Sequence, residues 1–164
     1  MVLSVNAGDK TQWIDIGEGT YEYGFTYPYK IKMAVPFGVR DIEDIKQGLF
    51  PVKFTIKWLA IDYSQDQVKK LFNDQFKNSY DSKESYGLAK NIINYFLSKL
   101  PATKKHDEWV FKYYPDEGSK LYIKDKKIHQ LVGAELNRAL IQSWLNKSPV
   151  LTANLFNRLL KVQR

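Results

Sequence analysis

The stretch YEYGFTYPYKIKM, residues 21–33, decides the fold class. Tyr21, Tyr23, Phe25, Tyr27, Tyr29, Ile31 and Met33 occupy its odd positions. Glu22, Gly24, Thr26, Pro28, Lys30 and Lys32 occupy the even ones. A period of two is that of an extended strand with one buried and one wet face. The stretch therefore reads as a long strand with an aromatic inner face. Pro28 has no N–H for a ladder, so it marks an edge position, a bulge or a break into two strands. Just upstream, Trp13, Asp15 and Gly17 alternate with Ile14 and Ile16 as a short strand, and Gly17-Glu18-Gly19 reads as a turn.

Downstream, residues 35–51 hold Pro36, Gly38, Gly48 and Pro51 and read as a connection, with a helical turn at Asp41-Ile42-Glu43-Asp44-Ile45. Val52, Phe54, Ile56 and Trp58 then alternate with Lys53, Thr55 and Lys57, so the aromatic members are expected inside and the lysines outside. Ser64 with Gln67 three residues on is a helix-opening capping box, followed by Val68, Leu71, Phe72 and Phe76 at helical spacing. Ser82 or Ser85 opens a second helix with an apolar face of Leu88, Ala89, Ile92, Ile93, Phe96 and Leu100, and Pro101 ends it. Trp109, Phe111 and Tyr113 mark a third strand. Pro115-Asp116-Glu117-Gly118 is a turn, residues 120–124 a fourth strand, Asp125-Lys126 a turn and residues 128–132 a fifth. After Gly133 a helix carries Leu136, Ala139, Leu140, Ser143 and Trp144 on one face. A break at 146–149 and a terminal helix over 151–162 close the chain.

Strands and helices come in blocks rather than strict alternation. That order predicts an α+β fold, an antiparallel β-sheet covered on one face by a layer of helices. Its 164 residues suit a single domain over 11–164 behind an irregular segment 1–10. Hydrophobic residues at 44% exclude a disordered chain, and no apolar run is long enough for a membrane-spanning helix. The aromatic fraction is 15%, and the net charge is +7. A basic balance raises an anionic partner as one reading, but the lysines and arginines are interleaved with Asp and Glu.

Few residues announce chemistry. There is no Cys, so disulfides, thiolate metal sites and cysteine nucleophiles drop out. His106 lies among Lys104, Lys105, Asp107 and Glu108 and reads as a solvated loop residue. His129 falls in a short strand. Neither has a partner at metal-binding spacing, so no metal and no cofactor is expected. Gly17-Glu18-Gly19 lacks the third glycine of a dinucleotide fingerprint, and there is no phosphate loop and no nucleophile elbow. Asp116-Glu117 reads as a solvated turn. The ring-rich strand invites base stacking, but Lys30 and Lys32 fall on the face opposite the rings, so no nucleic acid is expected.

Ser119-Lys120-Leu121-Tyr122-Ile123, Leu131-Val132-Gly133, then Ala139-Leu140-Ile141-Gln142-Ser143-Trp144-Leu145-Asn146 with Ser148-Pro149, and finally Leu155-Phe156-Asn157-Arg158-Leu159-Leu160, resemble the C-terminal half of the chalcone isomerase-like family. The order of Trp13 to Gly19, the aromatic strand, and Lys53 to Asp62 before a helix is similar to its bacterial branch. The resemblance implies an open-faced β-sandwich with an apolar cleft between sheet and helices. In the plant enzymes that cleft closes a chalcone to a flavanone, using an arginine, a threonine, a tyrosine, an asparagine and a Ser/Thr. In the fatty-acid-binding branch an arginine and a tyrosine hold a carboxylate.

The arginine of the enzymes follows a Gly-x-Gly-x pattern, and here that position is Tyr21. The tyrosine corresponds to Tyr63, the asparagine to Lys70 or Leu71 depending on register, and the helix hydroxyl to Ser143. Ser143 reads equally well as a serine bonding back to the Ala139 carbonyl. A phenol at position 21 does not replace a guanidinium that binds an oxyanion. The expectation is a non-catalytic domain with an apolar cleft for a fatty acid or other lipid-like ligand. Candidate ligand-binding residues are Tyr21, Tyr63, Ser143, Phe54, Trp58, Leu140 and Trp144, with Arg40 and Arg138 as reserve cations. Two alternatives stand beside it: an isomerase or intramolecular lyase of unknown substrate using Tyr21, Tyr63 and Ser143, and a basic module for nucleic acid or an anionic envelope surface. The resemblance points to a periplasmic or secreted protein. Residues 1–10 show no signal-peptide pattern, and the cytoplasm stays open. The oligomeric state has no signature in the sequence.

Overall fold

The computed structural model describes residues 11–39, 41–59 and 62–145. The expected irregular start, Arg40, the break at 146–149 and the terminal helix over 151–162 lie outside the described residues. Twelve elements follow in chain order: β1 Trp13–Tyr23, β2 Thr26–Pro36, α1 Ile42–Lys46, β3 Val52–Trp58, β4 Asp62–Tyr63, α2 Gln65–Ser79, α3 Lys83–Leu97, β5 Thr103–Lys104, β6 Glu108–Tyr114, β7 Gly118–Ile123, β8 Lys126–Leu131 and α4 Ala134–Leu145.

Six strands form one antiparallel sheet in the order β1-β2-β3-β6-β7-β8, and β4 pairs with β5 apart from it. Side chains on the inner face meet α2 and α4. Phe72 of α2 packs on Trp58, Trp109 and Phe111, and Trp144 of α4 packs on Phe54 and Phe111. Helix α3 flanks this layer, joining α2 through Phe76–Phe96 and β8 through Phe96–His129. This is the α+β architecture that the pattern predicts. Phe54, Ile56 and Trp58 are buried and Lys57 is exposed, as expected. Lys53 is half-buried, with its ammonium over the Trp13 ring at 5.5 Å.

The aromatic stretch itself is a hairpin, not one strand. Gly17-Glu18-Gly19 is no turn: it pairs with Met33, Lys32 and Ile31 inside β1. The turn is Gly24-Phe25, where Gly24 takes φ 61° and Tyr23 pairs with Thr26. Tyr21 and Tyr29 lie directly opposite each other, so both still point inward. Tyr23 is half-buried, and Phe25 and Tyr27 are exposed, against the expected inner face. Pro28 falls where the register shifts between Tyr21 and Tyr23, which selects the bulge among its three readings.

Other differences are local. Ser82, not Ser85, caps α3. That helix buries Ile93, Phe96 and Leu97 and leaves Leu88 and Ile92 exposed, because it flanks the layer instead of lying on it. β7 begins at Gly118, β8 spans Lys126–Leu131, and the turn between them is Lys124-Asp125, both at positive φ. The Ser64–Gln67 capping box and the α4 face of Leu136, Ala139, Leu140, Ser143 and Trp144 are as predicted.

Among the described residues, no helix is long and apolar enough to cross a membrane, and no group of His, Asp and Glu could hold a metal ion.

Candidate functional site

The inner rings at one end of the sheet surround a chain of buried hydrogen bonds. Tyr29 on β2 and Trp144 on α4 are both fully buried. The Trp144 indole N–H donates to the Tyr29 hydroxyl at 2.9 Å. That hydroxyl donates to Oε1 of Gln75 on α2, also at 2.9 Å. Nε2 of Gln75 donates to Oγ of Ser143 at 2.7 Å, and Ser143 donates to the Leu140 carbonyl at 2.5 Å. Sheet, α2 and α4 are thus tied by one polar thread through an apolar layer. Buried polar groups survive there because each is paired. Ser143 does bond back along its helix, to Leu140 rather than Ala139.

Around the thread runs a line of rings. Tyr21 stacks on Tyr29 with centroids 4.8 Å apart and planes 3° from parallel. Trp58 meets Tyr29 edge-on at 5.3 Å, and Tyr63 of β4 meets Trp58 at 5.7 Å. Phe54 packs on Trp144 at 4.6 Å. The structure therefore gathers the seven candidates into one neighbourhood. Tyr29 joins Tyr21, Trp58 and Trp144, and Gln75 separates Tyr29 from Ser143. Arg138 lies elsewhere. Its charge acts on Tyr113, at the far end of β6 from Trp109.

One buried donor of this line is left over. The Trp58 indole N–H is buried with no acceptor. The hydroxyls of Tyr21 and Tyr63 make no hydrogen bond among the described residues. Burial, and then the nearby Tyr23 and Asp74, pushes the Tyr21 phenol up to about 12. Burial, then Tyr21, raises Tyr29 well above its ordinary value against the opposing bond from Trp144. Both phenols are neutral near pH 7.

At the rim, Tyr23 donates to Asp74 Oδ2 at 2.5 Å, and Lys70 donates to the same oxygen and to the Tyr23 hydroxyl, each at 3.0 Å. Burial alone raises the Asp74 carboxyl, but the bonds from Tyr23 and Lys70 outweigh it and hold it below its usual range. The hydrogen bonds that Lys70 donates to Tyr23 and Asp74 raise its ammonium pKa above the ordinary value. Lys70 is exposed and Leu71 is buried, so neither supplies the family's amide. The amide among the buried rings is Gln75, which the sequence reading missed along with Tyr29, Tyr23 and Asp74. The missed signal is a polar residue on the Val68-Leu71-Phe72-Phe76 lattice of α2.

The outer face of the sheet is of another character. Lys30, Lys32 and Lys57 line a shallow depression of about 300 Å³ with Glu18, Thr55 and Glu108. Lys30 and Lys57 stand directly opposite each other.

A family model described as chalcone isomerase-like matches residues 39–161. A comparison with curated proteins gives no match. Among solved structures, the crystal structure of the Arabidopsis thaliana fatty-acid binding protein superposes with a TM-score of 0.75. The match covers 92% of this chain and 88% of that one at 9% sequence identity, so the likeness is one of fold.

Proposed function

The chain belongs to the chalcone isomerase-like family, and from that premise we propose that it is a non-catalytic binding domain. Its cleft, on this reading, takes a lipid-like ligand with a neutral or protonated head group. The observation that carries the proposal is the Trp58 indole N–H, fully buried and without an acceptor. An unpaired buried donor costs about 1–3 kcal/mol. A ligand carbonyl or hydroxyl oxygen beside Trp58 offsets that cost, with Tyr21 and Tyr63 as further donors. The surrounding rings provide the apolar lining that such pockets use. The fold shared with a fatty-acid binding protein supports the same ligand class.

The charge balance favours a neutral guest. Among the described residues Arg138 is the one arginine, and it lies near Tyr113. Trp58 and Val52, which pairs with Tyr113, are separated by six residues of β3, or about 20 Å. Lys70 is engaged by Asp74. Among the described residues, a carboxylate buried against Tyr21 therefore lacks a matched cation, and its desolvation is costly. The same lack argues against isomerase chemistry. Neutral phenols with raised pKa values are poor bases near pH 7, and an oxyanion needs preorganised charge to stabilise it.

Titration with a fluorescent fatty acid and a neutral fatty-alcohol analogue tests the ligand class, with native mass spectrometry to detect co-purified lipid. The alcohol is expected to bind. Failure of both probes at tens of micromolar rejects the cleft. Salt-sensitive binding of the anion alone rejects the neutral head group and makes Lys70 the first residue to mutate. Hydroxylated chalcones are expected to cyclise at the spontaneous rate in the presence of the protein, and turnover above it rejects the non-catalytic reading.

A further inference from the structure

The hairpin that carries Tyr21 and Tyr29 also carries two aromatic residues that the fold does not use. Phe25 is 104% exposed and Tyr27 is 58% exposed, while Tyr29, two residues further on, is fully buried. A side chain built on Gly24 would meet nothing within 4 Å, so the tip stands clear of the body. It is nevertheless held firmly. Thr26 Oγ1 donates to the Tyr23 carbonyl at 2.8 Å, Tyr23 is bonded to Asp74 on α2, and Tyr21 and Tyr29 stack at the base. Beside the tip, Lys30 and Lys57 face each other across β2 and β3 on the outer side. Lys57 also stands opposite Glu108 of β6, so this outer strip carries both signs.

We propose that this hairpin tip docks the domain on an anionic lipid bilayer, with Phe25 and Tyr27 in the interfacial layer and Lys30 and Lys57 against the head groups. Rings with this exposure gain by entering the boundary between head groups and acyl chains, and lysines with long apolar stems reach the anionic groups. The net charge of +7 selects an anionic bilayer over a second copy of the chain, which carries the same charge. Glu22 and Glu108 share the region, so the rings supply most of the binding and the net positive charge of the chain a preference for anionic lipid. The geometry is independent of the ligand reading, and the purpose rests on it. The tip lies at the end of the sheet where Tyr21, Tyr29 and Trp58 gather, so docking places the cleft at the membrane from which a lipid-like ligand would come.

The experiment is flotation of the full chain with vesicles of phosphatidylcholine alone and of phosphatidylcholine with phosphatidylglycerol. The expected result is association that is several-fold stronger on the anionic vesicles and weakened at high salt. Phe25→Ser with Tyr27→Ser is expected to lower partitioning about tenfold. These side chains are exposed, so the thermal melt of the variant should match the wild type. Phe37→Ser serves as control. That residue is also exposed, at 76%, but follows the far end of β2, and its loss is expected to leave partitioning unchanged. No association, equal association of the double variant, or a loss on Phe37→Ser equal to that of the tip variant overturns the proposal. Sedimentation showing a dimer that the tip variant abolishes also overturns it, in favour of a second copy as the occupant. Fluorescent fatty-alcohol binding without vesicles is scored separately. If it fails while flotation depends on Phe25, the cleft reading falls and the docking surface stands.

Discussion

Two buried polar clusters occupy opposite ends of α4, and they differ in how completely they are paired. Near its start, Asn137 accepts from Ser119 Oγ at 2.5 Å and donates to the carbonyls of Leu131 and Gly133 at 2.9 and 2.8 Å. Every hydrogen-bonding position of that amide nitrogen is used, and β7, β8 and the helix entrance are locked together. Near its end, Ser143 and Trp144 join Gln75 and Tyr29 in a thread that is also paired, but the Trp58 indole beside it keeps a buried donor without an acceptor. A polar cluster that closes on itself is explained by stability. One that leaves a donor over in an apolar layer calls for a further partner. If this distinction holds, damage to the first cluster should appear as lost stability, and damage to the second as lost binding.

The largest effect is expected at the first cluster. Gly118 has φ 82°, and a Cβ there would lie 2.1 Å from the Leu131 carbonyl oxygen that Asn137 also binds. Gly118→Ala forces both a strained backbone and a clash with main chain, and should cost about 3–5 kcal/mol in urea denaturation. Asn137→Leu removes the partner of Ser119 Oγ and the side-chain bonds to the Leu131 and Gly133 carbonyls, of which Gly133 keeps only the backbone N–H of residue 137, and should cost about 2–4 kcal/mol. In both variants the folded fraction should bind the fatty-alcohol probe with unchanged affinity. A fully stable Asn137→Leu protein that no longer binds would reverse the assignment of the two clusters.

Trp58 separates packing from pairing. Its ring touches Tyr29, Tyr63, Phe72 and Trp109, so Trp58→Ala should cost about 3–5 kcal/mol. Trp58→Phe is the sharper change. It leaves a gap but also removes an unpaired buried donor, and these oppose each other, so stability should stay within about 1.5 kcal/mol of wild type. Affinity for the alcohol should fall about tenfold, as loss of one buried hydrogen bond implies. Unchanged affinity in this variant would remove the observation on which the ligand reading rests.

How much of this was legible beforehand depends on which interactions are periodic. β3, the α2 capping box and the inner face of α4 follow from spacing, because one buried face imposes one period. The hairpin escaped for the same reason. Tyr21 and Tyr29 are an even number of residues apart and also paired across the turn, so a single strand and a folded one put both on the same face. Only Gly24 marked the turn, and Gly17 and Gly19 offered a competing signal. The residue types of the site were legible in Tyr21, Tyr63, Ser143, Trp58 and Trp144. The thread was not. Gln75 is one polar residue in an apolar lattice, and its partners Tyr29 and Ser143 lie 46 and 68 residues away. Leu88 and Ile92 fall on the apolar face that helical spacing marks, but only the Ile93, Phe96 and Leu100 part of it is buried, and α3 turns Leu88 and Ile92 outward.

Tyr29→Phe tests the thread itself with a smaller change. It strands the Trp144 indole N–H and Oε1 of Gln75 while keeping the ring and its stack on Tyr21. A loss of about 1–3 kcal/mol is expected by thermal or urea melt. Stability equal to wild type would mean that the thread re-pairs, and that its role in joining the sheet to α2 and α4 is minor.

The smallest expected effect comes from pH, which addresses the two ends of the molecule differently. His129 on β8 lies between the rings of Tyr95 and Phe96, at 5.7 and 5.8 Å. Burial, and then the charge of Lys99, lowers its pKa below the ordinary 6.5. The unfolded chain thus takes up this proton at a higher pH than the folded one. Its contribution to stability is complete above about pH 6.5 and is lost as pH falls below that value. His129→Gln should flatten this part of the stability profile. The phenols in and beside the thread do not titrate in this range: burial pushes Tyr21 up to about 12 and Tyr29 well above its ordinary value. Affinity for the neutral alcohol should therefore be flat between about pH 5 and 9, where such phenols stay protonated. Affinity for the fatty acid should rise as pH falls toward the carboxyl range of roughly 4–5, because only the protonated acid avoids burying an unpaired charge. Alcohol binding that follows the His129 titration and flattens in His129→Gln would show that the two regions are coupled. Alcohol binding that stays flat while the fatty-acid curve steepens toward low pH would fix the head group as neutral.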